Sequence, residues 1–140
     1  MEVREYLRKL EKLDKKIQNK LIEKAQWKDI ALGVTSHSEG ERVQSSGSQQ
    51  KMADALNRCI DMEREINDLV DSLIDYKLEV ISTIEQLNAT EYDVMHKRYI
   101  QAMTFDEIGA ACKKSKSWAT TMHGRALQSL QKILDSRENM

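Results

Sequence analysis

The chain has 140 residues, no proline and a formal net charge of −1. That length holds one compact domain, or a small domain with an extended appendage. The near-neutral total excludes a polycation, so a nucleic-acid site must come from how charge is distributed along the chain. Charged residues make up 32% and aromatics 5%, with only five glycines, a mixture that favours long exposed helices and gives little sign of a sheet.

Cys59 and Cys112 both fall inside helical patterns and lack the spacing of a zinc site. They read as small apolar core residues in a reducing cytosol. The N-terminus begins with charged residues and has no apolar run of signal length. No segment approaches the ~20 apolar residues that span a bilayer. A cytoplasmic protein with no membrane partner is expected.

Residues 2–32 form the first helical pattern. Val3, Tyr6, Leu10, Leu13, Ile17 and Leu21 recur at spacings of three and four, and Lys and Arg fill most other faces. Such a helix would be roughly 45 Å long. Its apolar stripe is narrow, so it needs a partner helix. Residues 33–49 break the pattern with three of the five glycines and five serines, and read as a long flexible loop. His37 stands alone there, with Arg42 and Val43 as candidate anchors.

Residues 50–87 form a second long helix. Cys59, Met62, Ile66, Leu69, Leu73, Tyr76 and Val80 alternate at three and four, which is a heptad seam, and Ile84 and Leu87 continue it loosely. The economical arrangement is an antiparallel, coiled-coil-like helical hairpin over 1–87. Residues 1–32 carry nine Lys/Arg against six Asp/Glu, whereas residues 33–87 carry five against eleven. Opposite signs favour pairing of the two helices over self-pairing. Asp61, Glu65, Asp68, Asp71 and Asp75 read as a solvated acidic face, because no His joins them in a metal-binding pattern and the inward positions are apolar.

The third part, 88–140, divides into helical pieces over about 91–101, 105–112 and 116–136. Thr90 is the candidate cap of the first, with Asp93 three residues on. Thr104 and Glu107 have capping-box spacing for the second. Lys113, Lys114 and Ser115 interrupt the pattern, and either Ser115 or Ser117 caps the third helix. Its inner face is Ala119, Met122, Ala126 and Leu127. Two short helices crossing at a tight turn, the second polar and basic outside, have the form of a DNA-reading helix-turn-helix. The fold class is therefore all-α, a long helical hairpin followed by a three-helix unit.

In such a unit Lys113, Lys114 and Arg125 suit phosphates, while Lys116, Ser117, Thr120 and Thr121 suit base edges or backbone. Trp118 fits either the sugar-phosphate backbone or a core contact against the hairpin. His96 and His123 read as packing residues. No nucleophile–base pair, metal cluster or glycine-rich phosphate loop stands out, so neither an enzyme nor a cofactor is expected.

Arg98-Tyr99, Thr104, Glu107-Ile108, Ser115, Ser117 and Arg125-Ala126-Leu127 with Leu130, in one ungapped run, resemble region 4 of the sigma-70 family and related LuxR-type reader domains. The run departs from that pattern at four places. Lys113 replaces the turn glycine, Lys114 the apolar residue after it, Ala119 a β-branched core residue, and Trp118 a smaller side chain. The whole chain is also similar to short phage and prophage proteins of Gram-positive bacteria. They share its VREYLRKL start, the GERVQSSG run at 40–47 and the KRYIQ…HGRAL unit, and are grouped loosely with late-gene transcription regulators of the autolysin-regulator type. That resemblance implies a regulator of phage genes in the host cytoplasm. Its partners would be double-stranded DNA, RNA polymerase and a second copy in a homodimer or higher homo-oligomer. A rival of different class is an oligomeric adaptor or small-terminase-like packaging protein, which a ring-sized oligomer would favour.

Overall fold

The computed structural model describes residues 1–33 and 46–139. His37, Arg42, Val43 and most of the GERVQSSG run lie outside them. The described residues form five helices and no strand: α1 (Val3–Ala31), α2 (Ser46–Ile84), α3 (Ala89–Tyr99), α4 (Phe105–Ala111) and α5 (Lys116–Glu138). Residues 46–49, expected in the loop, are already helical.

Two compact units share α1 and α2. One comprises Met1–Lys12 with Leu73–Met140, the other Leu13–Ser72. In the second unit the two long helices run antiparallel. Lys20 Nζ meets Glu65 Oε2 at 2.9 Å, Arg58 reaches Glu65 at 3.1 Å and Glu23 at 3.8 Å, and Cys59 Sγ donates to the Lys24 carbonyl at 3.7 Å. The rising numbers on α1 meet falling numbers on α2. Lys20 and Arg58 hold the Glu65 carboxyl below its ordinary pKa. These exposed pairs favour this partner more than they add stability, since each is worth about 0.2–1 kcal/mol. Ile17, Cys59, Met62 and Ile66 are buried as the seam requires. Leu21 is not: it is 49% exposed, so the stripe on α1 ends one turn earlier than its spacing suggests.

The first unit has a core that joins both ends of the sequence. Val3, Tyr6, Leu7 and Leu10 of α1 pack with Val80 and Ile84 of α2, Leu87, Met95 of α3, and Ala126, Leu127, Leu130 and Leu134 of α5. Segments on either side of the joint at Asn88 thus share one interior. Leu7 lies off the three-four stripe yet is 1% exposed, because α1 here packs in a core shared by three other helices and needs a wider apolar face. Within this core Thr83 Oγ1 accepts from the Tyr6 hydroxyl at 2.9 Å and from Arg137 Nη2 at 2.7 Å, and donates to the Glu79 carbonyl at 2.9 Å.

Candidate nucleic-acid interface

Asn88, rather than Thr90, caps α3. Its side chain accepts from the Glu91 N–H at 2.8 Å. Two short polar residues compete at this joint, and the one with extended backbone (ψ 165°) takes the cap. α3 ends in Arg98 and Tyr99, and each fastens a neighbour. Arg98 donates to the Met103 carbonyl at 3.1 Å and lies over the Phe105 ring at 4.3 Å. The Tyr99 hydroxyl meets His123 Nε2 at 2.6 Å, and their rings stack 5.7 Å apart. Phe105 meets the same imidazole edge-on at 5.0 Å. His123 is the packing residue expected. Burial, with the charges of Arg98 and Arg4, lowers its pKa to about 4, so the ring is neutral at pH 7. His96 Nδ1 accepts from the Gln101 amide nitrogen at 2.9 Å.

Thr104 caps α4 in a complete capping box with Glu107, both bonds being 3.2 Å. The helix ends at Ala111 and the chain turns sharply. Lys114 N–H donates to the Gly109 carbonyl at 2.7 Å and Lys113 N–H to the Ala110 carbonyl at 3.1 Å. This is the pattern of a Schellman motif, which places the residue after the cap in the left-handed region. That residue is Lys113, with φ 57°. The replacement of the turn glycine seen in the sequence therefore falls on the one position of the turn where glycine would be cheapest.

Ser115 then caps α5, its Oγ accepting from the Trp118 N–H at 3.0 Å. Ser117 lies inside the helix, where its carbonyl accepts from the Thr120 hydroxyl at 2.9 Å. α4 and α5 cross so closely at this turn that Gly109 has no room for a side chain: a Cβ there would stand 2.7 Å from the Ser115 carbonyl oxygen. From the sequence Gly109 reads only as part of an apolar side, since the constraint exists only once the two helices cross. A small second core seals the crossing. Val94, Ile108 and Ala119 are fully buried, with Met103, Phe105, Cys112, Trp118 and Met122 packed against them. Cys112 Sγ lies 3.5 Å from Asp93 Oδ2.

Of the eight residues selected from the sequence, Lys113, Lys114, Lys116, Ser117, Thr120, Thr121 and Arg125 are exposed. Trp118 is half-buried against the second core, which α3, α4 and α5 build from Val94, Ile108 and Ala119. Lys116 Nζ stands 3.9 Å from Asp106 Oδ2, with both side chains largely in solvent. The first turn of α5 holds no acidic residue and opens on Lys116, whereas α4 begins with Asp106 and Glu107. The first turn of α5 thus supplies no carboxylate of its own to the partial positive charge at the helix start, an arrangement suited to anions. Among the described residues no group of His, Cys, Asp and Glu could hold a metal ion, and no helix is long and apolar enough to cross a membrane.

Three helices, the last two crossing at a tight capped turn with a polar, basic outer face on the second, define a helix-turn-helix. Residues 83–132 match the family described as Sigma-70, region 4, and this part of the chain is a sigma-70 region 4-like helix-turn-helix. No curated protein and no solved structure matches the chain.

Proposed function

We propose that the protein is a sequence-specific DNA-binding transcription regulator whose α5 enters the major groove. The observation that carries this reading is the coincidence of the region-4 match with an α5 whose leading turns are exposed, basic and free of acid. Lys116, Ser117, Thr120 and Thr121 face base edges or backbone, and Lys113, Lys114 and Arg125 face phosphates. Trp118 supports the helix from its inner side and touches the duplex only at its rim. Neutralised phosphates release counterions, so binding weakens steeply with salt.

The regulated genes are late genes of a phage or prophage, and the site of action is the host cytoplasm. This finer reading rests on the resemblance of the whole chain to short phage proteins. A single reading helix binds weakly, and a homodimer on paired half-sites supplies the remaining affinity. RNA polymerase is the second partner that a sigma-like module suggests.

Lys116→Glu and Arg125→Glu test the DNA reading. Each should abolish duplex binding while leaving the helical content and melting temperature of the parent. Two variants that bind as the parent does would show that α5 is not the reading helix. Light scattering after gel filtration tests the dimer, and a strict monomer at high concentration rules it out.

A further inference from the structure

Gly124 sits in the interior of α5, two turns from its start. Helical spacing places it on one stripe with Ser117, Thr121 and Gln128, which are exposed, and Gly124 itself is half-buried. A Cβ built on Gly124 meets nothing within 4 Å. Nothing among the described residues therefore excludes a side chain here, in contrast to Gly109. The backbone does not require glycine either, because Gly124 is not among the positive-φ residues. Glycine in a helix interior is less stable than alanine, through backbone entropy and exposure of the peptide groups.

With packing and conformation both removed as reasons, close approach by something outside the chain is what remains. The turn that opens this helix-turn-helix carries a second choice against stability, since Lys113 occupies a left-handed position that glycine would fill more cheaply. Local choices that conflict with stability collect at functional sites.

We propose that Gly124 is the point where α5 seats most closely against double-stranded DNA. Its missing side chain lets the helix backbone lie against the duplex between the contacts of Thr121 and Arg125. This rests on α5 being the reading helix. Any side chain at 124 would hold the helix away from the groove and weaken the contacts on both sides of it.

The probe is the duplex that the parent protein enriches from a randomised double-stranded library. The full-length parent, Gly124→Ala and Gly124→Leu are compared for Kd on that duplex and for melting temperature. Both variants should melt at or above the parent. Binding should fall about tenfold for alanine, the scale of one wrong base pair, and further for leucine. Equal Kd in all three overturns the inference and leaves the DNA reading intact. A lower melting temperature in both variants also overturns it, because the glycine then serves the fold. A parent that enriches no duplex overturns the DNA reading itself, and this inference with it.

Discussion

The backbone of Ser115 occupies the space in which a side chain on Gly109 would begin. A Cβ at 109 would lie 2.7 Å from the Ser115 carbonyl oxygen and 2.8 Å from its carbonyl carbon. Both atoms belong to the turn that opens α5, so neither can swing aside as a flexible side chain would. Gly109→Ala must push α4 and α5 apart, against the gain in helix propensity. The expected cost is about 1–3 kcal/mol, with Gly109→Val costing more. Urea unfolding of both variants checks it, and an alanine variant as stable as the parent would mean that the crossing is looser than described.

Lys113 gives the opposite expectation. Its left-handed φ of 57° strains a residue with a Cβ, by about 1–2 kcal/mol. Lys113→Gly should relieve that strain, offset in part by the greater freedom of glycine in the unfolded chain. The variant should be more stable by about 0.5–1 kcal/mol. It also loses a charge from the proposed interface. If Lys113 neutralises one phosphate, the salt dependence of DNA binding should flatten by about 0.9 in log–log slope. A stabilised variant with an unchanged slope would remove Lys113 from the contact set.

These two residues show which features were legible in the sequence. Caps are local, and the Thr104–Glu107 box is legible because its partners lie three residues apart, whereas the sequence leaves Ser115 and Ser117 as alternative caps of α5 and the fold selects Ser115. Lys113 was conspicuous because it departs from a turn pattern. Gly109 was not, because its constraint comes from backbone that reaches it only after the helices cross. Leu7 is buried off the three-four stripe for a related reason. A single three-four stripe assumes one partner helix, and this part of α1 meets a core built from α2, α3 and α5. The same assumption extended the stripe to Leu21, which is exposed. At the site, exposure of Lys116, Ser117, Thr120, Thr121 and Arg125 follows from helical phase and that of Lys113 and Lys114 from their place in the turn, whereas the packing of Trp118 against the second core depends on the crossing. Arg98 and Tyr99 are visible as a motif, but their tying of α3 to Met103, Phe105 and His123 arises only once the helices pack together.

Thr83 organises the larger core through one hydroxyl. It is fully buried, accepts from Tyr6 and Arg137, and donates to the Glu79 carbonyl. Thr83→Val keeps the shape but removes the acceptor that the Tyr6 hydroxyl has among the described residues, and Tyr6 is only 3% exposed. The cost should be about 1–3 kcal/mol, the range for stranding a buried polar group. Tyr6→Phe removes a donor while Arg137 still satisfies Thr83, so its cost should be smaller. Chemical denaturation of the two variants gives the order, and a valine variant less damaging than the phenylalanine one would exclude Thr83 as the hub.

His123 makes the stability of the helix-turn-helix unit depend on pH. In the folded chain its pKa is lowered to about 4 from 6.5, first by burial and then by Arg98 and Arg4. Between these values the unfolded chain takes up a proton that the folded chain refuses. Stability is therefore fully present above pH 6.5, falls as pH drops toward 4, and loses nothing further from this residue below that. The ring is only partly buried, so solvent screening reduces the effect to on the order of 1–2 kcal/mol. His123→Gln retains a hydrogen-bonding group for the Tyr99 hydroxyl but cannot titrate. Carboxylates that titrate near pH 4 are common to both proteins and cancel in the difference. The stability gap between parent and variant should therefore narrow as pH falls from 7 to 4.5, by melting or denaturant titration at each pH. Parallel curves over that window would mean that the folded imidazole titrates as it does in the unfolded chain, and that its packing between Tyr99 and Phe105 leaves it open to protons.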